Sequence, residues 1–360
     1  MKKLVWLFGV LFVMGTTAAY AETGDEYVVF DLVKGKKKKV TVAEPSRDPH
    51  APQDAVVCSV VNEDDRENIT GTAEDWAKPV VVLEMNTSRG GGLCSGAMIG
   101  PNLVLTAAHC LTEKGRFVRS VRVFATGLPR TEEPESPNTN PSNPGKNNNN
   151  DDLIIRIISQ KKGKKYHRIK NGTDLSANVQ SAVSAESRAA ANNGGKTFPW
   201  AKATTLWVPN NWKMLDRNKP QGTVDIMREE QWDYGILVLD RPLGNKTGWL
   251  GLNEVESRTL AKSSVLVVGR GGDKAKRSLW KSEGKVGEIW STFFLHNADM
   301  VGGNSGGPIL LKDGDRHDII GLSNFDSSDP SAFNGYPNGG LRITNRIIRA
   351  VKQAGESVNQ

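Results

Sequence analysis

Two short runs constrain the fold most strongly, because the chemistry of each requires the other and they lie nearly two hundred residues apart. LTAAHC (Leu105 to Cys110) presents His109, and GGNSGGP (Gly302 to Pro308) presents Ser305. A free serine hydroxyl is a poor nucleophile. It needs an imidazole within hydrogen-bond reach to take its proton, and a carboxylate behind the imidazole to fix the tautomer and stabilise the imidazolium. Asp233, in WDYGILVLD (Trp232 to Asp240), is the candidate for that carboxylate. Gly303, Asn304 and Ser305 form a tight turn whose N–H groups, those of Gly303 and Ser305, are able to converge on one developing oxyanion. Any one of these motifs alone is weak: histidines are mostly structural, glycines around a serine are common in turns, and aspartates at strand mouths often cap. Together they require a fold that closes two distant segments onto one cleft.

The order His, Asp, Ser along the chain separates it from the α/β-hydrolases, in which the order is Ser, Asp, His. In these motifs the chain resembles the trypsin/chymotrypsin-type serine proteases, and within them the secreted bacterial glutamyl-endopeptidase branch. The resemblance runs through VVNEDDRENIT (Val60 to Thr70), CSGAMIGPNLVLTAAHC (Cys94 to Cys110), DYGILVLDRPLGNKTGWLGL (Asp233 to Leu252), VVGRGGD (Val267 to Asp273) and HNADMVGGNSGGPI (His296 to Ile309). It implies a serine endopeptidase acting on proteins or peptides through an acyl-enzyme, with His109, Asp233 and Ser305 as catalytic residues. It also implies a Cys94–Cys110 disulfide, and neither cofactor nor metal.

Length and composition agree with an all-β chain. A protein of 360 residues with 38% hydrophobic residues and 37 glycines is long enough to bury a real core and rich in turns. The architecture that the resemblance implies is two packed six-stranded antiparallel β-barrels, with a C-terminal helix and a long irregular insertion in the first barrel. WDYGILVLD alternates so that Ile236 and Val238 share one face and Leu237 and Leu239 the other, as in a barrel wall. RITNRIIRAVKQAG (Arg342 to Gly355) is the clearest amphipathic helix, with Ile343, Ile347 and Val351 on one stripe. GRGGD (Gly269 to Asp273) lacks the strand-then-helix setting of a phosphate loop and reads as a turn.

The first residues point to export. Lys2 and Lys3 precede an apolar run from Leu4 to Val13 and small residues ending Ala19-Tyr20-Ala21, the pattern of a signal peptide over 1–21. A membrane anchor is the other reading, but the run falls short of the roughly 20 apolar residues that span a bilayer. The expected product is secreted or periplasmic, with no stable membrane anchor after cleavage. Three cysteines leave Cys58 over once Cys94 and Cys110 are paired. Residues 22–59, with the run KGKKKK (Lys34 to Lys39) and the loop-like EPSRDPHAPQD (Glu44 to Asp54), read either as a propeptide that carries Cys58 away or as a retained extension. Beyond them the expected division is a first barrel over 60–230 and a second barrel with the terminal helix over 231–360. Where trypsin-like zymogens use an aspartate before the nucleophile to capture the new N-terminus, this chain has Asn304, so activation by cleavage needs another contact.

The insertion at 129–200 carries PRTEEPESPNTNPSNPGKNNNNDD and the patch KKGKK, with LIIRII (Leu153 to Ile158) and YHRIK (Tyr166 to Lys170) as a candidate hairpin. A tolerated loop expansion and a partner-binding or gating arm both remain open. TTLWVPNNW (Thr204 to Trp212) resumes as a strand. The net charge of +7 comes without a nucleic-acid-binding motif, so no nucleic-acid partner is expected, and oligomeric state is not legible. The resemblance places specificity on Asp299, Ser323, Asn324 and Phe325. Asp299 lies where the trypsin branch carries the carboxylate that pairs with Lys or Arg, which places basic residues slightly ahead of glutamate and of small polar residues. A catalytically silent binding or adhesion protein and a protease-fold esterase are the competing functions.

Overall fold

The computed structural model describes residues 24–43, 64–87, 90–113, 115–131, 196–212, 230–313, 316–325 and 335–358. The leader, the junction around Val60, Cys58 and both candidate strands of the insertion lie outside these. From the N-terminus, β1 (Asp25–Asp31) and β2 (Lys36–Val42) form a hairpin, followed by the short β3 (Glu67–Asn68). The first barrel uses β4 (Val80–Thr87), β5 (Gly90–Met98) and β6 (Leu103–Thr106). A two-strand flap follows, β7 (Thr112–Glu113) with β8 (Arg116–Phe117). The barrel is completed by β9 (Ser120–Phe124), β10 (Trp200–Pro209) and β11 (Gly235–Leu239). These six strands run β11-β6-β5-β4-β9-β10 and close through β10–β11.

The second barrel is built from β12 (Ser264–Gly269), β13 (Trp280–Ile289), β14 (Phe293–His296), β15 (Pro308–Asp313), β16 (Arg316–Phe325) and β17 (Asn338–Arg342). Its order is β12-β15-β16-β17-β14-β13, closed by β12–β13, with β3 added outside β13. Closure removes the unpaired edges that an open sheet would present. The chain therefore forms two closed six-stranded antiparallel barrels.

The period-two pattern sorts side chains between three cores. Leu237 and Leu239 join Val81, Leu83, Met98 and Val123 inside the first barrel, whereas Ile236 and Val238 join the seam shared with the second barrel. Val265, Val267, Phe294 and Ile309 fill the second barrel. The C-terminal helix spans Asn345–Val358, shorter at its start than its sequence pattern because Arg342 ends β17. There the Arg342 guanidinium donates to the carbonyls of Trp290 and Val255, both at 2.6 Å, which fixes it in the strand. Ile343 and Ile347 of the expected stripe are buried, each 1% exposed.

Residues 25–42 hold more order than a polar stretch suggests. β1 pairs along β10 from Tyr27↔Pro209 to Asp31↔Thr205, and Tyr27, Val29 and Val42 enter the core at the seam. Full burial of a side chain of this size contributes about 1.5–3 kcal/mol. The lysine run that masks the pattern is the exposed outer strand β2, where like charges discourage further strand addition.

Candidate active site

Register brings the base and its carboxylate together. β6 and β11 are antiparallel neighbours with Thr106 opposite Gly235, so the turn just after β6 and the residues just before β11 meet at one end of the barrel. His109 lies in that turn, a single 3-10 turn over Ala108–Cys110, and Asp233 sits two residues before β11. His109 Nδ1 is 2.6 Å from Asp233 Oδ2, and the His109 backbone N–H donates to Oδ1 at 2.8 Å. With the proton on Nδ1 shared with a carboxylate, the Nε2 lone pair is left to accept. Asp233 is fully buried, while the His109 side chain is 20% exposed and accessible from the cleft.

Two further contacts support this pair. Asn324 Nδ2 donates to Asp233 Oδ2 and to the Asp233 carbonyl, both at 2.9 Å. Thr112 Oγ1 donates to the Ala108 carbonyl at 3.0 Å and accepts from Trp212 Nε1 at 3.0 Å, which steadies the histidine turn. Cys94 and Cys110 are disulfide-bonded with Cα atoms 6.2 Å apart, tying the same turn to β5. The sulfurs and the His109 ring nitrogen cluster within 4.8 Å, but bonded sulfurs offer no thiolate to a metal.

Ser305 occupies the turn between β14 and β15, and both barrels hold it. The Ser95 N–H of β5 donates to the Ser305 carbonyl at 2.9 Å, and the Cys110 sulfur lies 3.6 Å from that same oxygen. On the other side Gly306 N–H donates to the Ser323 carbonyl at 2.7 Å. The turn depends on two glycines with positive φ. A Cβ on Gly306 (φ 74°) would lie 2.2 Å from Thr106 Oγ1, and one on Gly303 (φ 106°) would lie 2.8 Å from the Arg270 carbonyl. Ser95 Oγ, fully buried, donates to the Gly303 carbonyl at 2.9 Å and accepts the Arg270 N–H at 2.8 Å. With its carbonyl so anchored, Gly303 keeps its own N–H, like that of Ser305, without a partner among the described residues. Asn304, with no charge, braces the turn by accepting the Val301 N–H on its side chain at 3.0 Å.

The residues assigned to specificity fall in different places. Asn324 turns its amide onto Asp233. Ser323 is fully buried, with a hydroxyl lacking a partner among the described residues. Phe325 ends β16 opposite Gly339 of β17. Asp299, 2% exposed, accepts the Asp65 N–H at 3.2 Å. Its own N–H donates to Ser282 Oγ at 2.8 Å, and that hydroxyl donates to Asp65 Oδ1 at 2.9 Å. Next to it, Arg66 is clamped between Asp64 and Asp273, the last residue of the GRGGD turn. The Arg66 guanidinium holds both carboxyls below the usual range. Sequence reasoning missed Ser95 and the Asn324 contact, because a serine within a strand and an asparagine in a pocket run carry no distinctive pattern.

Among known proteins, the chain is similar to several proteases. Residues 71–211 match the trypsin family model. Over 322 residues the chain is 24% identical to a glutamyl endopeptidase of Bacillus licheniformis, covering 88% of this chain and 73% of the relative. A solved Glu endopeptidase in complex with MPD is 18% identical, with a TM-score of 0.49 and coverage of 82% of this chain and 98% of that one. The protease Anisep from Arthrobacter nicotinovorans is 14% identical, with a TM-score of 0.48 and coverage of 78% and 97%. In sequence the chain is thus similar to trypsin-type proteases, which supports a serine endopeptidase, a hydrolase whose substrates are proteins or peptides.

Proposed function

We propose that this chain is an exported serine endopeptidase in which Ser305 attacks the scissile carbonyl, His109 takes and returns the proton, and Asp233 orients the imidazole. The N–H groups of Gly303 and Ser305 receive the oxyanion, and water then releases the acyl group from Ser305 Oγ. The observation that carries this reading is the buried Asp233 carboxylate, bonded to both the ring and the backbone of His109. Such a carboxylate fixes the orientation of the imidazole, stabilises the imidazolium that forms and costs no reorganisation during the reaction. Export rests on the leader-like residues 1–21, and activation on a cut near Val60.

The test is a serine-directed fluorophosphonate probe applied to the exported protein and to Ser305→Ala. Labelling and protein hydrolysis are expected in the first. Loss of both is expected in the second, with turnover down by about three orders of magnitude or more. Hydrolysis that survives in purified Ser305→Ala would refute the assignment. Ester hydrolysis without peptide hydrolysis would mark a protease-fold esterase, and no labelling of the processed protein would mark a silent binding protein.

A further inference from the structure

The hairpin β1–β2 lies in the stretch whose sequence reads either as a propeptide or as a retained extension, and it reaches both neighbours of Asp233, Tyr234 directly and Trp232 through Arg346. On one side, Tyr27 Oη and Tyr234 Oη share a hydrogen bond of 2.7 Å, with Tyr27 1% and Tyr234 0% exposed. Burial pushes both phenols up in pKa, so neither carries charge at neutral pH. On the other side, Arg346 of the C-terminal helix stacks over Trp232 at 4.1 Å and stands 3.0 Å from Asp25 Oδ2, a close ion pair without an aligned Nε–H bond. Between these clamped residues, the Asp233 N–H donates to the Glu230 carbonyl and the Tyr234 N–H to that of Trp232, both at 2.9 Å. β1 also completes the free half of β10, whose other edge pairs β11 directly after Asp233.

Removal of the hairpin would strip the cover from Trp207 and Tyr234 and leave the Tyr234 hydroxyl without its partner. A buried polar group deprived of its partner costs more than the bond itself contributed. Cleavage near Val60 does not require that removal, because it cuts the chain outside the hairpin and leaves β1 paired to β10.

We propose that the hairpin 25–42 is a permanent part of the active protease, retained non-covalently after any cut near Val60, and that Tyr27 is a positioning residue acting on Asp233 through Tyr234. The inference rests on the triad assigned above. Its consequence is a two-chain enzyme: a short N-terminal peptide and a catalytic chain that separate only on unfolding.

The experiment uses full-length protein exported and processed by its own host cell. Active material is labelled at Ser305 with the fluorophosphonate, weighed under native conditions and again in denaturant, and sequenced from every N-terminus present. Residues 24–43 are expected in the labelled particle, either continuous with the catalytic chain or as a peptide released by denaturant. In parallel, Tyr27→Phe keeps the ring and removes the hydroxyl. It is expected to lower kcat about five-fold with KM unchanged, the size of one lost hydrogen bond. Tyr234→Phe should match it, and the double variant should be no worse than either, as for two ends of one contact. A purely structural role would lower the unfolding midpoint without moving kcat. A labelled, fully active particle without the hairpin, or Tyr27→Phe with unchanged kcat, would overturn the inference while the peptidase assignment stands. Failure of Ser305 to label in any form would remove both.

Discussion

Asn324 donates its side-chain amide to the Asp233 oxygen that also meets His109 Nδ1, at 2.9 Å against 2.6 Å. That one oxygen thus takes two hydrogen bonds, while its partner Oδ1 takes the His109 backbone N–H. A carboxylate held this way has no freedom to swing away when the imidazole becomes charged. Asn324 is therefore expected to work on the proton relay rather than on substrate choice.

Replacing Asn324 by Ala should remove a hydrogen bond to a charged group, for which about 1.5–3 kcal/mol is usual, so kcat should fall by about ten-fold to a hundred-fold. KM and the residues at the cut sites should stay as they are. Steady-state kinetics on one peptide, together with sequencing of fragments from a denatured protein mixture, checks both. A changed cleavage pattern with normal kcat would return Asn324 to the specificity pocket.

Joint replacement of Cys94 and Cys110 by Ala should cost on the order of 3 kcal/mol in the chain-entropy account of a loop this short. The separation is 16 residues, and both cysteines are at most 4% exposed. Because the bond ties the turn carrying His109 to β5, activity should be lost at a lower temperature than in the parent. Denaturant midpoints and residual activity after heating measure the two effects. Equal midpoints with and without the pair would show that the barrel alone fixes the turn.

The motifs for the base and nucleophile were legible because Gly-rich turns and the run before His109 are chemically restrictive over a few consecutive residues. The barrels were legible from alternation such as that of Ile236 to Leu239, whose two faces enter two different cores. The β1–β2 hairpin was not, because only Tyr27, Val29 and Val42 mark its buried face and five lysines dominate its composition. Asp299 and Asn324 were placed by position in a motif, and position alone does not reveal which way a side chain turns. The roles of Ser95 and Tyr27 depend on partners 208 and 207 residues away, which no local pattern encodes.

His296 supplies a test of stability against pH. It stands on β14 opposite Val286 and Asn338 and is fully buried, with no aligned partner for either ring nitrogen among the described residues. Burial pulls its pKa down to about 3, offset a little by the nearby Ala298 backbone. Its folded value is below the unfolded one, so the native state holds it neutral while the unfolded chain takes a proton. The stability it supports is complete above about pH 6.5 and is lost as pH falls toward 3, by at most about 1.4 kcal/mol per pH unit. Asp64 and Asp273, depressed by Arg66, give up their contributions only at lower pH. Urea midpoints measured from about pH 7 to about pH 4.5 should therefore decline in the parent and flatten in His296→Phe. Parallel slopes in the two proteins would show that another group governs the range.

Asp299 decides between two views of substrate choice. A carboxylate that selects Lys or Arg must meet the substrate's cation, and desolvated charge pairs of that kind give strong selection. Here the carboxylate accepts the Asp65 N–H, and the Asp65–Ser282–Asp299 set of bonds closes on itself with Asp299 2% exposed. The work visible for Asp299 is to pin the segment at residues 64–66 against the loop that leads to Ser305. Asp299→Asn should then lower stability by about 1–3 kcal/mol through weakened buried bonds, and leave the pattern of cut sites unchanged. Ser323, neutral and buried with its hydroxyl unpartnered among the described residues, is the better candidate to read a polar side chain. Fragment sequencing after digestion by the parent, Asp299→Asn and Ser323→Ala settles the matter. Cleavage after Lys or Arg that disappears in Asp299→Asn, at unchanged unfolding midpoint, would restore the charged pocket. Cut sites altered only by Ser323→Ala would place recognition on a neutral hydrogen-bonding wall, with glutamate among the side chains to which such a wall can donate.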